Sequence, residues 1–344
     1  MSKVYLKKTK TTNFQEISVI ARKLLEKLVK ENNFQLEEHV PLKVHFGEDG
    51  NFTYIPAIAF DGIIDYLESK KIKSSFIETN VLYRGLRTTR SQHIKLALEH
   101  GFKRLPIIIA DGEMGECYYE VEINKEYFDK CKLGLSHKDF NQYIICSHFK
   151  GHPIAGFGGA LKQLAMGFSA RSGKMAQHSQ TQPTVMESKC IACGLCVERC
   201  DAKAINMYGK AYIDKRLCVG CALCIAVCFT GAVYHDFSAE HFLEKMSEYA
   251  LATTLNKKMI YINFVQNITR ECDCFSTRMG LLTDNIGVFA SLDPVAVDSA
   301  CLDAVQAQTK SDLFENGRKL LSSSENLGLG TSKYELVEIE NTTI

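Results

Sequence analysis

No stretch of the 344 residues reaches the roughly 18 consecutive apolar residues of a membrane-spanning helix, so no membrane partner is expected. The opening Met1-Ser2-Lys3-Val4-Tyr5 leads into a strand-like stretch. It lacks the apolar region and cleavage site of a secretory leader, and the expected location is cytoplasmic. A dominant charge is missing too. The formal net charge of +1 gives no global electrostatic reason to bind nucleic acid.

Cysteine, in contrast, is abundant. There are 14, and eight fall between Cys190 and Cys228 in two tight groups. That spacing reads as metal ligation rather than disulfide stapling. The other six are Cys117, Cys131, Cys146, Cys272, Cys274 and Cys301.

The rest of the chain alternates strand and helix signals. Apolar runs at 4–9, 42–46, 75–78, 105–110 and 143–147 read as strands, with an added strand at 118–123. Helical spacing appears at 16–32, 55–70, 89–100 and 159–168. The polar stretch 169–183 suits a linker. After the cysteines the alternation resumes, with helices at 238–251, 295–308 and 310–322 and strands at 259–265, 286–290 and 335–339. The expected fold is α/β, a mostly parallel sheet with flanking helices. Residues 1–180 and 238–344 form the host domain, interrupted by an α+β ferredoxin-like insert at 181–237.

The insert is an internal repeat. Lys189-Cys-Ile-Ala-Cys-Gly-Leu-Cys-Val-Glu-Arg-Cys200 matches Leu217-Cys-Val-Gly-Cys-Ala-Leu-Cys-Ile-Ala-Val-Cys228, with a hairpin expected between them at Gly209. Each half is C-x2-C-x2-C-x3-C, the run of bacterial two-cluster ferredoxins. Three thiolates on one loop bind three irons of a cubane, and the fourth ligand comes from the other half. Cys190, Cys193, Cys196 and Cys228 are therefore expected to hold one 4Fe–4S cluster. Cys218, Cys221, Cys224 and Cys200 are expected to hold a second. Zinc is the competing reading, but zinc modules usually pair their ligands across a long spacer. The residue after each fourth Cys is Asp201 or Phe229 where proline is usual, and neither position is a ligand.

In open α/β sheets ligands bind beyond the carboxyl ends of the strands. His45, Glu48, Glu78, Asn80, Asp111, His148, Lys150, His152, Cys272, Asp273, Cys274 and Asp293 all follow expected strands. His45, Glu48, His148, His152 and Lys162 are the catalytic candidates. The competing account is that loops are polar. Gly156, Gly158 and Gly159 precede a helix whose N–H groups, with Lys162, Arg171 and Lys174, would receive an anionic small molecule. Cys272 and Cys274 share a face if extended. With His148 and His152 they are candidates for a third metal or cofactor site, thiolate and imidazole suiting iron, zinc or nickel. The bland alternative is two thiols without a role, or a redox-active pair.

Four host segments now carry a resemblance: Lys43-Val-His-Phe-Gly-Glu48, Ser147-His-Phe-Lys-Gly-His152, Gly158-Gly-Ala-Leu-Lys-Gln-Leu-Ala-Met-Gly167 and Ser291-Leu-Asp-Pro-Val-Ala-Val-Asp298. With the cysteine insert between them, the chain resembles the family called domain of unknown function 362. That resemblance implies a cytoplasmic iron–sulfur protein, mostly of anaerobes, and supplies no substrate. The functional expectation is electron transfer between an external donor or acceptor and a redox site on the host, as in a ferredoxin-dependent oxidoreductase. The alternatives are a non-enzymatic electron carrier, an Fe–S or metal delivery protein, and a redox sensor. Host size favours the oxidoreductase, since electron carriage needs only the insert.

Overall fold

In a computed structural model of the chain, residues 1–179, 182–235, 240–310 and 314–339 are described. Eight strands form the main sheet: β1 (Ser2–Lys8), β2 (Leu42–Lys43), β3 (Phe76–Glu78), β4 (Ile107–Ile109), β5 (Gln142–His148), β6 (Lys258–Val265), β7 (Gly287–Ser291) and β8 (Tyr334–Glu338). Their spatial order is β8-β1-β7-β6-β5-β2-β3-β4. Every neighbouring pair is parallel except the two that β7 makes, with β1 and β6. β5 is buried along its whole length and β6 beyond its first residue, as expected for strands covered on both faces.

The helices are α1 (Phe14–Glu31), α2 (Asp61–Ser69), α3 (Arg90–Glu99), α4 (Ala160–Ala165), α5 (Arg171–His178), α6 (Phe242–Thr254), α7 (Pro294–Thr309) and α8 (Glu315–Asn326). In α1, Asn13 caps the first turn by accepting from Gln15 N at 2.9 Å, and Ile17, Ala21, Leu24, Leu25 and Leu28 make the buried stripe. That stripe joins Ile63, Ile64 and Leu67 of α2 and Leu42, Ile144 and Ile262 of the sheet in one core. The opposite face carries a second core, in which Leu161, Met246, Val297 and Leu320 of α4, α6, α7 and α8 cover Tyr143 and Tyr261.

The two ends of the cysteine-rich segment lie side by side, because Thr184–Val185 pairs antiparallel with Val233–Tyr234. The hairpin between its halves, Ile205–Met207 with Ala211–Ile213, turns at Gly209, where φ is 73°.

Several expectations change. The stretch 169–183 is no simple linker. It contains α5, whose Arg171, Lys174 and Met175 are buried: Arg171 bonds Met114 O, Lys174 bonds Thr79 and Ser169, and Met175 packs in the apolar cluster of the cysteine segment. The helix expected at 55–70 splits into a 3-10 turn, Ala57–Phe60, and α2. The strand expected at 42–46 pairs only at Leu42–Lys43. Part of the Gly-rich loop after β5 is a hairpin, Lys150–His152 with Gly156–Gly158. The insert boundaries at 181 and 237, and the starts expected at 238 and near 310, touch residues 180–181, 236–239 and 311–313, which lie outside the described set.

Candidate functional site

The strand order reverses between β2 and β5: β3 and β4 continue outward from β2, while β6 lies on the far side of β5. A crevice at the carboxyl ends of such a pair is where open α/β sheets place ligands. β2 leads into His45 and Glu48, and β5 ends in His148. The hairpin after β5 carries Lys150 and His152 and leads to α4 with Lys162, and the loop after β6 brings Cys272-Asp273-Cys274.

Two thiols and an ammonium form the centre. The Cys272 and Cys274 sulfurs lie 2.9 Å apart, and all 14 cysteines are free. Lys162 Nζ donates to Cys272 Sγ at 2.7 Å and reaches Cys274 Sγ at 3.8 Å. Cys272 is buried and Cys274 half-exposed. Their titrations split. The Cys272 contact, then Lys162 and His45, hold the Cys274 thiol well below its ordinary value, while the neighbouring Cys274 and burial push Cys272 up. Burial works against the Lys162 charge, but the paired sulfurs outweigh it and raise the ammonium's pKa. The Lys162 ammonium thus stands beside two sulfurs in contact with each other.

Charged side chains brace this centre. Asp273, between the cysteines, turns inward. Its Oδ2 accepts from His148 Nδ1 at 2.8 Å and Lys150 Nζ at 2.7 Å. Burial would raise its pKa, but those two cations hold it far below the carboxylate range. Both nitrogens of His148 are engaged, one by Asp273 and the other by the Gln266 carbonyl at 2.7 Å. On the other side His45 lies beside Cys274, and its Nε2 is 2.9 Å from Arg87 Nη1. Arg87 is fully buried, with its Nε on Glu48 at 3.1 Å and its Nη2 on Tyr83 Oη. Burial, then the Arg87 charge, depress the His45 pKa. His152 accepts at Nδ1 from Ala155 N at 3.0 Å, and burial and Lys162 keep its pKa far down.

The start of α4 does not receive an anion as expected. Asp298 of α7 takes its free N–H groups, accepting from Ala160 N and Leu161 N at 2.8 Å each. Asp298 also accepts from Asn263 at 2.6 Å, and burial pushes its pKa up to about 7. Arg171 and Lys174 are likewise engaged internally, Arg171 on Met114 O at 2.6 Å and Lys174 on Ser169 O at 2.7 Å. Lys43 pairs with Glu78 at 2.9 Å deep in the core. Asp293 leaves the group altogether, because β7 runs opposite to its neighbours and its carboxyl end lies at the other sheet edge.

In the cysteine-rich segment, eight cysteines line two small pockets. Cys190, Cys193, Cys196 and Cys228 line one. Cys200, Cys218, Cys221 and Cys224 line the other. Each group is three thiols from one half and one from the other. The two loops share a backbone: Ala192 and Gly194 have positive φ in one, Gly220 and Ala222 in the other. Such alternation turns successive N–H groups inward as an anion-receiving nest. The fourth thiols are already bonded, Cys200 from Ala204 N at 3.2 Å and Cys228 from Val233 N at 3.3 Å. Among the described residues, no three His, Cys, Asp or Glu side chains meet closely enough to hold a single ion.

Insert and centre are neighbours. Leu82 and Met175 of the host belong to the insert's apolar cluster. Tyr83, next in sequence to Leu82, feels the charges of Cys274 and Cys272, and Arg171 feels that of Cys221. Burial, then His235 and Lys162, drive the pKa of His178 of α5 down to about 3.

Of the sequence candidates, His45, Lys162, His152, Cys272 and Cys274 gather at the centre. Glu48 and His148 stand behind it as partners of Arg87 and Asp273. His148 has no nitrogen free for a metal, so the third site expected from Cys272, Cys274, His148 and His152 is not assembled with that residue. Sequence reasoning missed Tyr83 and Arg87. Arg87 sits between β3 and α3, where Tyr83-Arg-Gly-Leu-Arg87 was the available signal.

Among the described residues, no helix is long and apolar enough to cross a membrane. Solved structures similar in shape include a Thermotoga maritima protein from a structural genomics programme, at TM-score 0.44 and 9% identity over 93% of this chain. Another is the lactate racemase apoprotein of Thermoanaerobacterium thermosaccharolyticum, at TM-score 0.40 and 12% identity over 77% of this chain. The matched region spans 60% and 51% of those two chains. No curated protein matches the sequence. The family model described as domain of unknown function, DUF362, matches residues 40–303, well over half of the chain, which therefore belongs to that family.

Proposed function

We propose that the protein is a cytoplasmic iron–sulfur protein. Its insert holds two 4Fe–4S clusters and exchanges electrons between an external one-electron carrier and the thiol centre of the host. The observation that carries this reading is the sorting of eight cysteines around two cavities, each taking its fourth thiol from the opposite half. That is the ligand exchange of two-cluster ferredoxins. Such clusters supply one-electron chemistry at low potential.

The residues fit the clusters in three ways. The thiols surround a volume, whereas zinc needs its sulfurs about 2.3 Å from one point. The left-handed positions 192, 194, 220 and 222 turn backbone N–H groups inward, which favours a negatively charged body. Apolar Ile205, Ile213, Ile225 and Val233 pack around the cysteines and keep water out.

The host is what separates this reading from simple electron carriage. Cys272, Cys274 and Lys162 stand where the strand order reverses, on the side against which the insert packs. Anaerobically purified protein should contain about eight iron and eight sulfide per chain. Dithionite should bleach a broad visible band and give interacting paramagnetic signals, and Cys193→Ser should damage one cluster first. Stoichiometric zinc without iron would overturn the proposal.

A further inference from the structure

The host centre contains more than a polar crevice explains. Two sulfurs stand 2.9 Å apart, well inside van der Waals contact though beyond the 2.03–2.05 Å of a disulfide bond. One is half-exposed and the other buried behind it. An ammonium lies within reach of both, donating to the buried sulfur at 2.7 Å. A metal ion would need the position that Lys162 takes, and His148 is committed to Asp273 and Gln266. Cys274 N also donates to Cys272 Sγ at 3.4 Å, which holds the pair on the same side of the loop. Exposed loop thiols without a role would not be arranged around a buried lysine with a buried aspartate between them.

We propose that Cys272 and Cys274 form a redox-active dithiol that reduces a disulfide substrate, with Cys274 as the attacking thiolate, Cys272 as the resolving thiol and Lys162 as the proton carrier. The inference rests on the proposed function only for the electrons that return the pair to its reduced state.

The chemistry balances as follows. The Cys274 thiolate attacks one sulfur of the substrate. A Cys274–substrate disulfide forms, the substrate S–S bond breaks, and the leaving thiolate takes a proton from Lys162. The neutral lysine amine then removes the Cys272 proton. Cys272 attacks Cys274 Sγ, the Cys272–Cys274 bond forms, and the second substrate thiolate leaves. The protein loses two electrons, the substrate gains two, and Lys162 is an ammonium again. Reduction of the Cys272–Cys274 disulfide needs two electrons and one proton, breaks the S–S bond and restores one thiol and one thiolate. Those electrons come singly from a low-potential carrier of the iron–sulfur class.

Cys274 suits the attacking role because it is the less buried of the two sulfurs and has the Lys162 ammonium 3.8 Å away. Cys272 suits the resolving role because it is buried behind Cys274 and close enough to close the ring. Tyr83 joins this centre to the insert. It senses both sulfurs, and its neighbour Leu82 packs in the insert's apolar cluster.

The test uses full-length protein, anaerobic and pre-reduced, with glutathione disulfide as the probe. The free thiols are alkylated afterwards and mapped by mass spectrometry. Wild type should consume one equivalent of glutathione disulfide and lose alkylation at Cys272 and Cys274 together. Cys272→Ser should stop at a glutathione adduct on Cys274, and Cys274→Ser should form no adduct at either position. In the Cys272→Ser background, Lys162→Met should slow adduct formation at pH 7 by about tenfold, because the thiolate loses its cation. Iron and sulfide are measured on the same samples. Iron present with no Cys274 adduct in Cys272→Ser overturns the dithiol and leaves the electron-transfer reading standing. Adduct formation without iron does the reverse. Cysteines 272 and 274 that resist alkylation because of a bound extra metal also overturn the dithiol.

Discussion

Replacing Asp273 with asparagine should loosen the thiol loop while leaving the sheet intact. Asp273 is fully buried, and its Oδ2 serves His148 Nδ1 at 2.8 Å and Lys150 Nζ at 2.7 Å. Removing one partner of a buried charge pair costs about 3–5 kcal/mol, because the remaining charge stays desolvated. Asparagine keeps one acceptor oxygen, which puts the expected cost at the lower end, about 3 kcal/mol. At 1.4 kcal/mol per tenfold, that is roughly a 150-fold gain in local opening. Amide hydrogen exchange reads it directly. Gly151 N–H bonds Thr269 O at 2.8 Å and Phe275 N–H bonds Cys272 O at 3.1 Å, so both amides report on this loop. Val40, bonded to Lys73 O at the other sheet edge, is the control. The effect also has a pH signature. The carboxyl pKa is depressed in the fold, so its stabilisation is complete above the unfolded value of about 3.9 and drains away as pH falls through the lower folded value. The difference between wild type and Asp273→Asn should hold from pH 7 to about 4 and shrink below that. Equal exchange at Gly151 and Phe275 in both proteins at pH 7 would refute the argument.

Two structural predictions concern how the host is closed. A Cβ on Gly62 would stand 2.1 Å from Ser18 O, so Gly62→Ala should force α1 and α2 apart, cost about 1–3 kcal/mol and lower the thermal midpoint seen by circular dichroism; an unchanged midpoint would show that the two helices yield freely. Asp293 caps α7, accepting from Val295 N and Ala296 N at 2.9 Å, and also holds Ser2 and Thr331, so Asp293→Ala should cost at least the ~1 kcal/mol of a lost cap in urea unfolding.

The sheet was legible because its central strands are continuous apolar runs separated by helical periodicity, and those patterns are local. The direction of β7 was not. A strand's orientation depends on the partner it finds, and nothing in 286–290 says that it pairs antiparallel with both neighbours. Asp293 was therefore assigned to the wrong edge. The reading of α5 failed for a related reason. Arg171-Ser-Gly-Lys174 has the composition of a solvated turn, but distant parts of the chain bury it, with Arg171 on Met114 O and Lys174 on Thr79 Oγ1. The cysteine repeat was legible as a repeat, and its two groups line two separate pockets in the fold. The anion site expected at α4 was chemically reasonable, because a helix start does offer N–H groups. What fills them is Asp298, 138 residues downstream of Ala160, and separations of that length leave no mark on local pattern.

The same reasoning explains why Cys272-Asp-Cys274 was the hardest segment to read and is the most informative now. Cys272 to Phe275 form a turn closed by Phe275 N–H on Cys272 O at 3.1 Å, not the extended stretch expected, and Asp273 at its corner is engaged by different partners from the two sulfurs. Here that residue is a carboxylate in a dry interior, a costly place for a charge unless cations meet it. His148 from the end of β5 and Lys150 from the hairpin beyond it do so. Lys162 from α4 then meets the sulfurs on the opposite side. α4 is held in turn by Asp298. Each charge in the chain is balanced by one from a different element, so the thiol pair can exist only when β5, β6, α4 and α7 are all in place. A cysteine pair that merely filled a loop would need none of this.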